Sequence, residues 1–330
     1  MSNSSLAGRS NWITTLVAGM LVLLGSRDVA GQPRRQIAVT FDDLPVVTYV
    51  TRTDDAREHI TDALLSAIRR HAVPAIGFVN EGTLVTSGSI SDRRVALLRR
   101  WVDAGLELGN HTYSHHGLHR SPLPAFLDDI ARGDSVTTTL LQSVGRRPRY
   151  FRHPFLHSGR DLATRQTVER FLADRGYRVA PVTIDNSDYV FASAYERAVR
   201  RGDTLQQHGI GAAYLTYMEN VLAYYERQSM ELFGREPAQV LLLHANLLNA
   251  DHFDALARMM RRRGYTFITL ERALADPVYR SKDTYVGPSG ISWLHRWALT
   301  AGRQASFFAG EPQVPEDIVK AATAGAGSSR

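Results

Sequence analysis

The 330-residue chain is 44% apolar and 22% charged, the balance of a globular protein, and could form one large domain or two ordinary ones. It has no cysteine, which excludes disulfides, thiolate metal ligands and a cysteine nucleophile, so any metal centre must draw on His, Asp or Glu. The formal charge of +6 suits an anionic setting such as a cell envelope; nucleic acid ranks below it, because the arginines are spread along helical patterns without a basic-aromatic block.

In chain order, residues 1–31 have the pattern of a signal peptide. Arg9 precedes the apolar run Trp12–Gly25, and small residues follow at Val29, Ala30 and Gly31. The run is short for a membrane span, so export to the periplasm or medium is expected, with a retained N-terminal anchor as the alternative. Ile37–Phe41 then predicts a strand that runs into Asp42 and Asp43 and stops at Pro45. Apolar spacing predicts a helix over 54–71, a strand over 74–79, and a helix over 91–105 with Ser91 as N-cap and Gly105 as C-cap. A strand over 106–109, a helix over 122–145, a strand over 149–152 and a helix over 161–176 follow. Next come a strand over 177–184, a long helical stretch over 192–234 broken near Gly209–Gly211, and a strand over 240–244. A helix over 251–263, a strand over 265–269 and a short helix over 270–275 end the series.

This alternation predicts a parallel α/β fold, and seven strands suit a barrel better than an open sheet. Residues 36–276 read as one catalytic domain. Residues 277–330 form an extension rich in glycine and aromatic residues, with a disordered tail from Ala321. Its Trp293 and Trp297 lie one helical turn apart and are expected to pack onto the barrel rather than to stack on a sugar.

The polar residues of interest follow the strands, at the rim where α/β barrels build their active sites. Strand one delivers Asp42 and Asp43, strand three His111 and His115, and strand four Arg152 and Pro154. Strand five delivers Asp185 and Asp188, and strand six His244. Two histidines four apart can present both imidazoles to one divalent ion. With one aspartate they form a ligand set that leaves open positions for water and substrate, as in catalytic zinc sites. His116 and His119 are expected at the surface or at the edge of a substrate site.

These patches, in this order, resemble the polysaccharide deacetylase family, the NodB-homology domain of carbohydrate esterase family 4. Thr40–Asp43 (TFDD) matches its first motif, His111–His115 (HTYSH) its second, and Arg152–Phe155 (RHPF) its third. Asp185–Tyr189 matches the fourth and Leu242–His244 the fifth. The resemblance covers residues 36–276 and implies an irregular (β/α) barrel with fewer than eight units. It also implies roles. Asp43, His111 and His115 would hold the metal, with zinc the best match and cobalt or nickel as substitutes. Asp42 would be the general base, oriented and kept ionised by Arg152, and the Phe155 backbone N–H would stabilise the oxyanion. His244 would be the general acid, with Asp188 raising its pKa, and Leu242 would line the acetyl-methyl pocket.

Two positions depart from the family pattern: Tyr189 stands where tryptophan is frequent, and Ala245 where an acidic residue often follows the histidine. Neither removes a catalytic group; both touch the pocket wall and the residues behind it. The implied activity is metal-dependent removal of N-acetyl or O-acetyl groups from a glycan such as peptidoglycan or a chitin-like polymer, with no nucleic acid or stable protein partner. The alternatives are a metal-dependent amidase acting on a non-sugar amide and an inactive glycan-binding module.

Overall fold

A computed structural model of the protein describes residues 35–324. The expected signal segment, residues 1–31, lies outside the described residues, as do residues 325–330. The first element is β1 (Arg35–Leu44), buried from Ile37 to Asp42 as a strand covered on both faces must be. α1 (Asp54–Arg70) follows, its first turn capped by the Thr53 side chain, which accepts from Ala56 N–H. Then come β2 (Ile76–Val79), a small hairpin of β3 (Val85–Thr86) and β4 (Ser89–Ile90), α2 (Asp92–Asp103) and β5 (Glu107–Asn110). α3 (Leu123–Arg132), α4 (Ser135–Gln142), β6 (Tyr150–Phe151), α5 (Leu162–Asp174) and β7 (Arg178–Val179) complete the first half. The second half holds α6 (Asp188–Arg201), α7 (Thr204–Phe233), β8 (Gln239–His244), α8 (Leu247–Arg262), β9 (Tyr265–Phe267) and α9 (Leu270–Ala273). α10 (Trp293–Thr300) and α11 (Glu316–Thr323) belong to the C-terminal extension.

The seven-stranded main sheet runs in the order β7-β6-β5-β2-β1-β8, with β9 beside the N-terminal half of β1, and every pairing in it is parallel. The sheet curls until its ends meet. Val179 of β7 pairs with Phe151 of β6, and Ile184, a few residues on, bridges Leu241 of β8. The segment from β7 to Ile184 therefore touches both edges, which makes the irregular (β/α) barrel that the alternation predicts. All the strand C-termini open on one rim. Beneath it, Phe41 sits edge-on between Trp101 and Phe253, with ring centroids 5.7 and 5.4 Å away.

Several expectations need correction. The helix expected over 122–145 is two helices, parted at Gly133. A Cβ there would come within 2.5 Å of the Thr112 carbonyl carbon, so the turn carrying His111 and His115 needs a glycine beneath it. The long helical stretch breaks at Gly202, in the left-handed conformation (φ 68°), where Asp203 caps α7 by accepting from Gln206 N–H. Gly209 and Gly211 lie inside α7, and Gly211 faces α8, where a Cβ would meet the His252 ring at 2.4 Å. Ser91 occupies the N-cap of α2 but makes no side-chain capping bond. The tail expected to be disordered from Ala321 is helical through Thr323.

The extension packs into the same compact unit as the barrel. Trp293 and Trp297 are buried against Leu156, Val182, Leu242 and Val278, and Trp293 N–H donates to the Val182 carbonyl at 2.6 Å. Asp283 sits between Arg165 of α5 (3.0 Å) and the buried Arg296 of α10 (2.9 Å). Arg296 also donates to Ser158 Oγ at 2.6 Å, which ties α10 to the loop after β6.

Candidate active site

β1 and β8 lie side by side in a register that sets Asp42 opposite His244. Asp42 is buried. Arg152 reaches its Oδ2 at 3.4 Å and Thr40 Oγ1 at 3.0 Å, while lying 4.6 Å above the Phe78 ring. Burial raises the Asp42 pKa and Arg152 opposes the shift; burial prevails, and the carboxyl is held up at about 6. Arg152 acts in the expected direction without cancelling the cost of burial. Thr40, which donates to the Leu241 carbonyl at 2.8 Å while accepting from Arg152, completes this arrangement; it opens the TFDD motif, but the resemblance gave it no role.

Asp43, His111 and His115 each point one ligand atom inward, all within 4.8 Å of one another. The donor set fits a divalent ion on three counts. His111 Nδ1 lies 2.8 Å from the Arg152 carbonyl, so its proton sits on Nδ1 and the Nε2 lone pair faces Asp43 at 3.5 Å. His115 Nε2 lies 3.3 Å from the same Asp43 oxygen, Oδ1, which is buried with no hydrogen-bond partner. Burial, followed by the neighbouring His115, holds His111 well below the usual imidazole range, so it stays neutral as a ligand must. Two imidazoles and a carboxylate suit zinc and other first-row divalent ions.

The backbone around these residues is strained. Asp43, Thr112, His115, Phe155 and Leu156 all have φ between 54° and 66° without being glycine. Neighbouring groups hold the turn: Asp129 accepts from the Ser114 N–H and hydroxyl, and Asn110 Oδ1 accepts from Thr112 N–H at 2.7 Å.

His244 is set by Asp188, the first residue of α6. The buried Asp188 carboxylate accepts from His244 Nδ1 at 2.6 Å, from His244 N–H at 2.9 Å and from Asn249 Nδ2 at 2.7 Å. Burial lowers the His244 pKa, but the charge and hydrogen bond of Asp188 outweigh it, with smaller help from Asp43 and Asp42, and lift it to about 10. With Nδ1 committed to Asp188, His244 presents Nε2 as its free ring nitrogen. Asn249 was not singled out by sequence, since an asparagine one turn into a helix has no distinguishing pattern.

These groups open into one cavity of about 970 Å³. Asp42, Asp43, His111, His115, Phe155, Tyr189, Leu242 and His244 all line it, while Arg152 and Asp188 stand behind. The Phe155 ring lies 4.6 Å from the His115 ring, and Tyr189 meets His244 edge-on at 6.2 Å. Asp185, also at the end of strand five, lines the cavity as well. The extension supplies wall residues that the sequence did not indicate: Pro288–Gly290, Glu311–Val314 and Val319. His119 is part-buried at the edge of the cavity wall: its Nδ1 lies 3.1 Å from the Pro288 carbonyl, and its Nε2 accepts from Gly159 N–H at 3.1 Å.

Residues 30–180 match the family model described as polysaccharide deacetylase. Over that stretch the chain is similar to the polysaccharide deacetylase family. Among known proteins, a chitin deacetylase of Arthroderma benhamiae is 27% identical over 157 residues, which are 48% of this chain and 36% of that protein. A protein named as part of a glutamyl-tRNA(Gln) amidotransferase, from Chlorobium limicola, is 26% identical over 223 residues, covering 66% of this chain and 45% of that one. A peptidoglycan-N-acetylglucosamine deacetylase of Bacillus cereus is 20% identical over 242 residues, covering 72% of this chain and 67% of that one. The chain thus spans less than half the length of the first two relatives. The family match ends just after β7, so His244 and the extension lie beyond it.

Proposed function

We propose that the protein is an exported, metal-dependent hydrolase that removes acetyl groups, chiefly from the nitrogen of an amino-sugar in a glycan and secondarily from sugar oxygen. The observation that carries this reading is the pairing of Asp42 and His244 across adjacent strands, beside the Asp43, His111 and His115 ligand atoms and in the same cavity. The deacetylase names of two relatives support the glycan as substrate class. Export rests on the apolar run at Trp12–Gly25.

A divalent ion held by Asp43, His111 and His115, zinc or in its place cobalt or nickel, would polarise the acetyl carbonyl and acidify a water. Asp42 takes a proton from the attacking water as the new C–O bond forms at the acetyl carbon. Arg152 keeps the Asp42 carboxylate aimed at that water. The Phe155 N–H donates to the developing oxyanion. His244, protonated at Nε2 through its bond to Asp188, gives that proton to the amine nitrogen as the C–N bond breaks. Acetate and the free amine leave. Leu242 fills the space beside the acetyl methyl group.

The test is acetate release from N-acetylglucosamine oligomers, peptidoglycan, acetylated xylan and simple amides, with added zinc and with chelator. Zinc-dependent acetate from a glycan supports the reading. Release from simple amides alone would replace it with a non-sugar amidase, and silence on every substrate by folded, metal-loaded protein would leave a glycan-binding module.

A further inference from the structure

The cavity that receives the ligand atoms also has a cationic wall. Arg120 and Arg160 both line it, from loops far apart in the chain. The two loops are joined next to the arginines, where Gly159 N–H donates to His119 Nε2 at 3.1 Å. Since His119 accepts at Nε2, its proton sits on Nδ1, 3.1 Å from the Pro288 carbonyl oxygen, and the ring is neutral. The His157 ring stacks on it at 4.1 Å, with planes 11° apart. His157 also lines the cavity, is only 9% exposed, and has no partner for its Nδ1. Burial first, then the neighbouring His119, Arg120 and Arg160, hold His157 down to about 4. At neutral pH the fixed positive charge of this wall is therefore carried by the two guanidinium groups.

Their place on the cavity wall sets these arginines apart from the other arginines without a carboxylate partner. Arg152 faces Asp42, Arg165 and Arg296 share Asp283, and Arg149 reaches Glu107. Neither Arg120 nor Arg160 makes an ion pair among the described residues. None of the cavity's acidic side chains pairs with either arginine: Asp42 faces Arg152, Asp43 faces the histidines, Asp185 feels His244 before Glu311, and Glu311 makes no ion pair among the described residues. A planar guanidinium with free donors matches a carboxylate or phosphate in two-point geometry.

We propose that Arg120 and Arg160 form a subsite for an anionic substituent, a carboxylate or a phosphate, carried by the acetylated saccharide, so that the preferred substrate is an acidic amino-sugar rather than a neutral one. This rests on the reading of the cavity as the site of an acetylated sugar. Both arginines are exposed, so neutral replacements leave the core untouched.

The experiment measures binding by calorimetry to the full chain carrying Asp42→Asn, which blocks turnover. Three ligands are compared: N-acetylglucosamine, the same sugar with a 3-O-lactyl carboxylate, and its 6-phosphate. One of the two acidic sugars is expected to bind at least about tenfold more tightly than the neutral one, the scale of a charged hydrogen bond. The lactyl and phosphate arms identify which anion is meant. Arg120→Gln and Arg160→Gln are each expected to erase most of that preference, Arg160→Lys to restore part of it, and added salt to weaken it. Equal affinity for neutral and acidic sugars, or a preference that survives the double glutamine variant, overturns the subsite. Acetate release from glycans without any acidic preference would overturn the subsite while sustaining the deacetylase reading. An acidic preference with no acetate released by the wild-type protein from any glycan would sustain the subsite and overturn that reading.

Discussion

Replacing Asp283 with alanine tests how the extension is held to the barrel. The Asp283 side chain is 6% exposed and stands between two cations, Arg165 at 3.0 Å and Arg296 at 2.9 Å, whose side chains are 14% and 1% exposed. Deleting one partner of a buried ion pair costs roughly 3–5 kcal/mol, because the other charge is left without compensation. Arg296 would keep Ser158 Oγ at 2.6 Å and the Trp293 ring 4.3 Å below it, which places the expected loss near the lower end, about 3 kcal/mol. For a unit of this size that is a drop in Tm of about 6 °C. The assay is urea and thermal unfolding of wild type, Asp283→Ala, and the double variant Asp283→Ala/Arg296→Met. Since the cost comes from stranded charge, removing Arg296 as well is expected to recover much of the loss. An Asp283→Ala protein within about 0.5 kcal/mol of wild type, the range of ordinary surface changes, would refute the reasoning. So would a double variant no more stable than the single one.

Further outcomes follow from the site and the buried histidines. His111→Ala is expected to lose zinc on washing with a mild chelator. Asp42→Asn should keep the zinc and lose turnover, as measured by metal analysis and acetate release on the same samples; zinc loss in Asp42→Asn would contradict the separation of ligand from base. His153, fully buried between Phe126 and Phe151, is held down to about 3, chiefly by burial. An unfolded histidine takes up its proton near pH 6.5 while the folded one does not. Stability should therefore be insensitive to this residue above pH 6.5 and fall from there towards pH 3, by about 2 kcal/mol at pH 5. His153→Phe should flatten that part of the curve in urea titrations, and an unchanged slope would count against it. Gly290 leaves no room for a side chain, since a Cβ would meet the Phe155 carbonyl oxygen at 1.8 Å. Gly290→Ala should therefore displace the loop around Phe155 and lower kcat more than it lowers Tm.

The sequence made the barrel legible because buried parallel strands leave short apolar runs, and five of the seven runs led into residues with recognisable chemistry. Asp42, Asp43, His111, His115 and His244 fall where those patterns put them. Glycines were harder to interpret. Gly133 ends a helix because the Thr112 backbone comes so close, whereas Gly211 continues one because His252 packs on it; residue type alone cannot separate those cases. The partners that complete the site were also hidden. Asn249 and the wall at Pro288–Gly290 act through contacts with residues distant in sequence, and nothing local distinguishes them; Thr40 stands in the first motif, but its bonds to Leu241 and Arg152 needed the fold. The arginines at 120 and 160 looked like two among many until the fold set both on the cavity wall.

The order of the strands also bears on how the protein is made. Asp43, His111 and His115 come from β1 and from the turn after β5, which are separated in the sheet only by β2. All three ligand residues thus lie in one contiguous piece of sheet, and the groups that hold their turn, Asp129 and Gly133, follow soon after them in the chain. His244 and the walls at Pro288–Gly290 and Glu311–Val314 are synthesised much later. A growing chain folding from its N-terminus can assemble the ligand set while the proton donor and the far side of the cavity do not yet exist. On the proposed reading, the ligand set and the proton donor therefore come from different stretches of the chain, and the cavity wall waits for its last fifty residues or so.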